Sequence, residues 1–140
     1  MNIPEIPDNS LTEEITEIIR LCGKYEKEYE FVFAPPLAEI EMTAWEQVHG
    51  IILPCHVKDW LAFSNGSTIA YDKLFGLDGF IVGHSQLPEE LVIIGSTHDE
   101  SLCFSRVTHE IVRYGISETR RYEDLRDFLR STVIRSLRRG

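Results

Sequence analysis

The spacing of the apolar residues changes partway along the chain, and this change restricts the possible folds more than any other feature. Over the first 66 residues apolar side chains recur every three or four positions, which predicts helices. After Asn65-Gly66 they fall in short runs separated by turn residues, which predicts strands. A helical spacing returns at the end. Helices on either side of a block of short strands favour an α+β fold, with a central, mostly antiparallel sheet flanked by N-terminal helices and a C-terminal helix.

The predicted elements follow from these spacings. Residues 1–9, which contain two prolines, are expected to form a frayed arm. An amphipathic helix is expected over 11–29, capped by Asn9 or Ser10 with Glu13 completing a capping box. Further helices are expected over 38–49, ended by Gly50, and from Pro54 to Asn65-Gly66. The expected strands cover 68–71, 73–77, 91–96, 102–106 and 110–115, with a hairpin around 97–100, and the last helix covers 122–137.

Length and cysteine content bound the class of protein. A chain of 140 residues with 43% hydrophobic and 26% charged residues is typical of one globular domain, here 1–140. The start resembles no secretory signal, and no apolar run approaches the ~18 residues of a membrane span. Three widely spaced cysteines, Cys22, Cys55 and Cys103, fit reduced thiols better than a disulfide framework. We therefore expect a cytoplasmic protein without membrane contact.

The charge of the chain is large and uneven. The net charge is −9, with 7 basic and 20 acidic residues in 1–119 but 7 basic and 3 acidic residues in 120–140. An acidic body argues against a nucleic-acid ligand, because phosphates require clustered Lys and Arg. It favours a basic protein partner. The basic end is interpreted as a solvated helix that complements its own dipole, with Glu123–Arg126 and Asp127–Arg130 as internal pairs.

Residues 42–66 carry a family pattern. An apolar-x-x-apolar-Glu helix ends in Gly, Leu-Pro follows two residues later, and an aromatic-rich helix closes with Asn-Gly. This resembles the SUKH superfamily of Smi/Knr-like domains. Blocks at 74–78, 93–96 and 122–129 continue the resemblance, whereas His49 and Val57 depart from it at positions expected to face the core. The motif residues, which the resemblance treats as structural, are Trp45, Glu46, Gly50, Leu53, Pro54, Trp60, Leu61, Asn65 and Gly66.

The resemblance implies a function as well as a fold. Most bacterial members are small cytoplasmic immunity proteins that bind and neutralise a cognate toxin, and many such toxins are nucleases with basic clefts. Other members are regulatory modules with endogenous partners, which is the alternative here. No catalytic residue, cofactor or metal carries over, so we expect no enzyme activity. The candidate partner contacts are acidic residues in or beside the expected turns of the sheet: Asp72, Asp78, Asp99 and Glu100.

Other candidate sites have structural interpretations. Cys55 and His56 are neighbours at a helix start and resemble a catalytic pair, but adjacent helical side chains point about 100° apart. We expect an exposed His56 with no catalytic role. The run His98-Asp99-Glu100 offers cation ligands, but a polar turn explains it equally well. Trp45 and Trp60 are expected in the core.

Overall fold

The computed structural model describes residues 2–139, which form one seven-stranded sheet with four helices. The helices are α1 (Thr12–Tyr25), α2 (Glu39–His49), α3 (Cys55–Leu61) and α4 (residues 125–139). The strands are β1 (Phe31–Phe33), β2 (Ser67–Ile69), β3 (Asp72–Leu74), β4 (Leu91–Thr97), β5 (Glu100–Ser105), β6 (Ile111–Tyr114) and β7 (Glu118–Tyr122). Every strand pairs antiparallel with the next one along the chain. The predicted α+β fold is confirmed.

The sheet has a hydrophobic cluster on each face. The larger cluster lies between the sheet and the helices and contains the buried residues of α1, α3 and α4 together with Val92 and Ile94 of β4. The smaller cluster contains Leu91 and Ile93 of the same strand, with Phe75 and Leu87 of the 75–90 segment packed against it. The first five residues of β4 are therefore buried, because successive side chains point to opposite faces and both faces are covered.

The expected strands exist, but two further strands form the edges of the sheet. β1 lies between the helices expected over 11–29 and 38–49, where no strand was predicted, and its three residues are too few to show an alternation. β7 has four polar or charged residues before Tyr122, so it carries no hydrophobic signal. Charged side chains on an edge strand hinder its pairing with another chain. This explains why β7 is rich in charged residues, which are uncommon in strands.

The two terminal helices bind each other through charge. The Glu14 carboxylate of α1 is 3% exposed, and its Oε2 accepts from Nε of Arg130 at 2.6 Å and from Nε of Arg126 at 3.3 Å. Arg138 Nη2 donates to Glu17 Oε2 at 2.5 Å. The predicted internal pairs Glu123–Arg126 and Asp127–Arg130 are wrong, since both arginines pair with α1 instead. The side chains of Arg126, Arg130 and Arg138 nevertheless remain 42–61% exposed, as expected of a solvated helix.

The N-terminal arm and the capping box also differ from expectation. α1 begins after Leu11 with no side-chain cap, and the Ser10 hydroxyl donates to Asp59 instead of capping the helix. Ile6 packs against the main core, and Asn9 Nδ2 donates to the Asp59 carbonyl at 3.2 Å, so this arm is held against the body. Met1 lies outside the described residues. None of the helices in 2–139 has the length and apolar character needed to cross a membrane.

Candidate protein-binding surface

The motif residues at 45–66 join α2 to α3. The Glu46 Oε2 atom accepts from the Leu53 N–H at 2.7 Å and lies 3.3 Å from Lys58 Nζ. Gly50 ends α2 in the left-handed region at φ 64°, and its N–H donates to the Glu46 carbonyl. Asn65 Oδ1 accepts from the Leu77 N–H at 2.8 Å. The side chains of Glu46 and Asn65 therefore hold backbone segments together.

One side of α2 carries apolar side chains that no other residue in 2–139 covers. Met42 is buried and Trp45 is half-buried, so this side of the helix faces the body. Ile40, Ala44 and Val48, four residues apart, lie on another side, and we name them the α2 stripe. Ile40 is 78% exposed and Val48 is 80% exposed. A helix that is apolar on two sides but packed on only one presents a surface suited to a partner.

An open groove of about 800 Å³ begins where α2 ends. We call it the interwall groove: residues 50–52 form one wall, and residues 88–90 with Arg106, Val107 and His109 form the other. Ile52 is 70% exposed and Val107 is 78% exposed, so each wall carries an uncovered apolar side chain. The volume lies within the range typical of ligand and peptide clefts.

The wall that carries Val107 is held by a hydrogen-bond network. The Ser105 hydroxyl donates to Glu90 Oε2 at 2.6 Å, and the Ser105 Oγ atom accepts from the N–H groups of Val107 and Thr108. The Arg106 N–H donates to the Glu90 carbonyl at 2.7 Å. Because these bonds fix the turn between β5 and β6, Val107 is presented on a rigid support. A surface ordered before binding loses less conformational entropy when a partner docks.

His56 connects this turn to two helices. Its Nδ1 accepts from the Leu125 N–H at 3.1 Å, so this nitrogen carries no proton, and Nε2 donates to the His109 carbonyl at 2.8 Å. Burial lowers the pKa of His56, which favours this neutral form. The expectation of an exposed His56 is wrong. Both ring nitrogens are occupied by backbone groups, so the ring is not free to act as a base for the exposed Cys55.

The predicted partner contacts do not form one site. Asp72 is 4% exposed and accepts from the Thr97 hydroxyl at 2.6 Å, which removes it from any outer surface. Glu100 is bound by Arg113 Nε at 2.7 Å and by the Thr119 hydroxyl, and these bonds, the Thr119 bond foremost, lower its pKa. Asp99 is exposed at the β4–β5 turn. Asp78 is also exposed, but it lies beside α2, in a cleft that Val48 also lines.

The remaining candidates are placed as follows. His98 stacks at a tilt against Tyr71, with ring centroids 5.6 Å apart, and residues 2–139 contain no group of three side chains arranged to hold a metal ion. Trp60 and Val57 are in the core, as expected. Trp45 packs at the edge of the core. His49 is exposed and stacks on Trp45, with ring centroids 4.2 Å apart, so the expected core position of His49 is wrong.

The interwall groove was not predicted because its walls come from three distant segments. The α2 stripe, by contrast, left a signal in the sequence, because Ile40, Ala44 and Val48 recur every four residues as a second apolar row on the helix. Val107 lies in the turn over 106–110, which has no periodicity, so its exposure depends on how β5 and β6 pair.

The chain was also compared with known proteins. No protein-family model matches it, and no curated protein matches it.

Proposed function

We propose that this protein is a non-enzymatic immunity protein that binds a bacterial toxin in the cytoplasm and neutralises it. The observation that carries the proposal is the α2 stripe, because Ile40 and Val48 are each about 80% exposed on one side of the same helix, with Ala44 between them, and an exposed apolar patch on a monomer marks an interaction site. The resemblance of residues 42–66 to SUKH domains supplies the kind of partner. The acidic body favours a basic toxin such as a nuclease.

Co-expression with the toxin domain encoded by the neighbouring gene tests this function. We expect the chain to restore growth and to form a complex with the toxin of equal stoichiometry. The variant Val48→Asp should weaken both effects, because it places a charge in the apolar contact without disturbing the core. The matched control is Ile116→Asp, at a fully exposed turn residue, which should rescue like the parent chain. Absence of rescue and of a complex would refute the proposal.

A regulatory or scaffolding module with an endogenous partner is the alternative, since the same fold and surface would serve it. The two functions differ in the partner recovered. A complex with the neighbour-encoded toxin supports immunity, and a complex restricted to housekeeping proteins supports the regulatory function.

A further inference from the structure

We infer that the interwall groove receives an apolar side chain of the partner that is flanked by lysines or arginines. This inference rests on the proposed function as a protein-binding module and specifies the chemistry that is bound. It concerns Ile52 and Val107, which line the interwall groove from two different segments of the chain. Neither residue belongs to the motif that suggested the family.

The residues that line the interwall groove indicate that the bound side chain is apolar. Ile51 and Pro88 lie beside Ile52 and Val107 in the lining, and the two uncovered side chains leave most of their surface in water. Burying such surface favours association by about 25 cal/mol per Å². The Val107 wall is fixed by the Ser105 network, so an inserted side chain meets a formed cleft.

The charged residues near the interwall groove indicate that the bound side chain is flanked by lysines or arginines. Glu89 lies in the lining, and Asp78 lies in a second cleft, which Val48 and His49 at the end of α2 also line. Neither carboxylate forms an ion pair with another residue in 2–139. Arg106 is the single lysine or arginine among the lining residues, and Glu90 is already bound by Ser105. Flanking cations on the partner would therefore meet free carboxylates, which favours their encounter.

The same charges argue against a second copy of this chain as the occupant. A two-fold contact pairs a surface with itself, so the acidic residues of each copy would approach those of the other. Like charges brought together at an interface are unfavourable. A partner of opposite charge has no such cost.

A peptide probe tests the inference without the toxin. The probe is a capped decapeptide with a central Leu-Phe pair and two lysines on each side; one control peptide has Glu for Lys, and another has Ser for Leu and Phe. In amide NMR spectra of the whole chain we expect the lysine peptide to shift signals at 50–52, 89–90 and 106–109. We expect both control peptides to bind at least fivefold more weakly. Shifts confined to another surface, or equal binding of the glutamate peptide, would overturn the inference.

Variants locate the contacts. Ile52→Ser and Val107→Ser should each lower the affinity for the lysine peptide about tenfold, since each removes an apolar wall. Ile116→Ser, at a fully exposed position outside the interwall groove, should leave the affinity unchanged. Arg106→Ala should raise the affinity about twofold by removing the local cation. A loss of affinity in Arg106→Ala would instead indicate an acidic ligand and overturn the basic assignment.

Two outcomes separate this inference from the proposed function. Toxin neutralisation that is unaffected by Ile52→Ser and Val107→Ser would leave immunity in place and remove the interwall groove as its contact. Peptide binding in the interwall groove with no toxin neutralised would remove immunity and keep the groove as a binding site. Self-association in sedimentation experiments that Ile52→Ser abolishes would show a second copy as the occupant and overturn the inference.

Discussion

At the scale of single residues, the backbone around Gly95 leaves no room for a side chain. The register between β4 and β5 shifts between Ile93 and Gly95, and a Cβ on Gly95 would lie 2.0 Å from the Lys73 carbonyl oxygen of β3. That oxygen belongs to the backbone of a paired strand, so it cannot move aside without separating β3 from β4. Glycine is therefore required by the close approach of the two strands.

We predict that Gly95→Ala lowers the free energy of unfolding by at least about 2 kcal/mol, because the strands must move apart. Urea denaturation followed by circular dichroism measures this. The matched control is Gly23→Ala in α1, where an added Cβ meets nothing within 4 Å and the free energy of unfolding should rise by about 0.5–1 kcal/mol. Equal effects of the two substitutions would contradict the steric argument.

Asp72 is a second residue whose role depends on burial. Desolvation raises the pKa of its carboxyl group, while the Thr97 hydroxyl lowers it by donating to the charged form. Asp72→Asn keeps an acceptor for Thr97 and removes the buried charge, so we expect no loss of stability at pH 7. Asp72→Ala leaves the buried Thr97 hydroxyl without this acceptor and should cost about 1–3 kcal/mol. Thermal unfolding of both variants checks this, and an Asn variant as unstable as the Ala variant would refute it.

At the scale of elements, the contact between α1 and α4 combines apolar packing with a buried carboxylate. Residues Leu129–Ile134 form a π-helical segment in the middle of α4, which buries four of its residues. Ile134 and Arg130 line the same cleft as Glu14. The acidic residues of α1 and the basic residues of α4 lie far apart in the sequence, yet in the structure they form one interface.

We predict that Arg130→Ala lowers the free energy of unfolding by about 1–2 kcal/mol. The substitution removes the closer of the two arginines that bind the buried Glu14 carboxylate. Half of the Arg130 side chain is exposed to water, which weakens the contribution of this ion pair to stability. Arg135→Ala is the control, because Arg135 is exposed on the same helix and makes no ion pair within 2–139; its effect should stay within about 0.5 kcal/mol. Chemical denaturation at low and high salt measures both. Identical losses would mean that the Glu14 contact contributes nothing.

His56 links three elements, and we predict that it makes stability depend on pH. Burial is the main cause that lowers its pKa below the unfolded value of 6.5, against the opposing effects of the His109 carbonyl, Asp124 and Asp59. As the pH falls below about 6.5, the unfolded chain therefore binds a proton before the folded chain does. The stabilisation from neutral His56 is complete above this pH and is lost as the pH falls towards the folded pKa.

The difference between the parent chain and His56→Gln isolates this effect from the other titrating groups. We expect the stability advantage of the parent over the variant to shrink between pH 7.5 and pH 5, as measured by urea denaturation at each pH. A constant difference across this range would contradict the linkage.

At the scale of the whole molecule, the acidic residues behind the net charge of −9 fall into two groups: those that form ion pairs with lysines or arginines of 2–139, and those that do not. Glu14, Glu17, Glu46, Glu100, Glu110 and Glu118 are bound to lysines or arginines. Asp78 and Glu89 beside α2 and the interwall groove have no such partners in 2–139. Acidic residues without such partners also lie elsewhere on the surface of 2–139, as Glu26 and Asp99 do, but Asp78 and Glu89 are near the uncovered apolar residues.

We predict that Asp78→Lys and Glu89→Lys each slow association with the proposed basic toxin several-fold at low ionic strength. The effect should shrink towards physiological salt, where the screening length is about 8 Å. Glu26→Lys changes the net charge equally at an exposed position after α1 and serves as the control. Stopped-flow association rates measure the three variants. Equal slowing by all three would show that total charge acts alone.

The fold was largely predictable, and the candidate surface was not. Helices α1 to α3, the Gly50 stop and the β4–β5 hairpin follow from local periodicity and turn chemistry, which depend on neighbours along the chain. The edge strand β7 could not be predicted, because its Glu, Thr and Arg residues reflect an edge position that exists only once β6 is in place. The burial of His56 could not be predicted either, because its two backbone partners lie more than 50 residues away along the chain.

The amino-acid sequence by itself determined the class of fold, the order of most elements and the two apolar rows of α2, since these depend on spacing over short distances. Only the tertiary structure decided which row is covered, because packing places Met42 and Trp45 against the body and leaves Ile40 and Val48 in water. It also decided which charges are free, because ion pairs form between segments that lie far apart in the chain. The candidate surface arises from these two long-range outcomes.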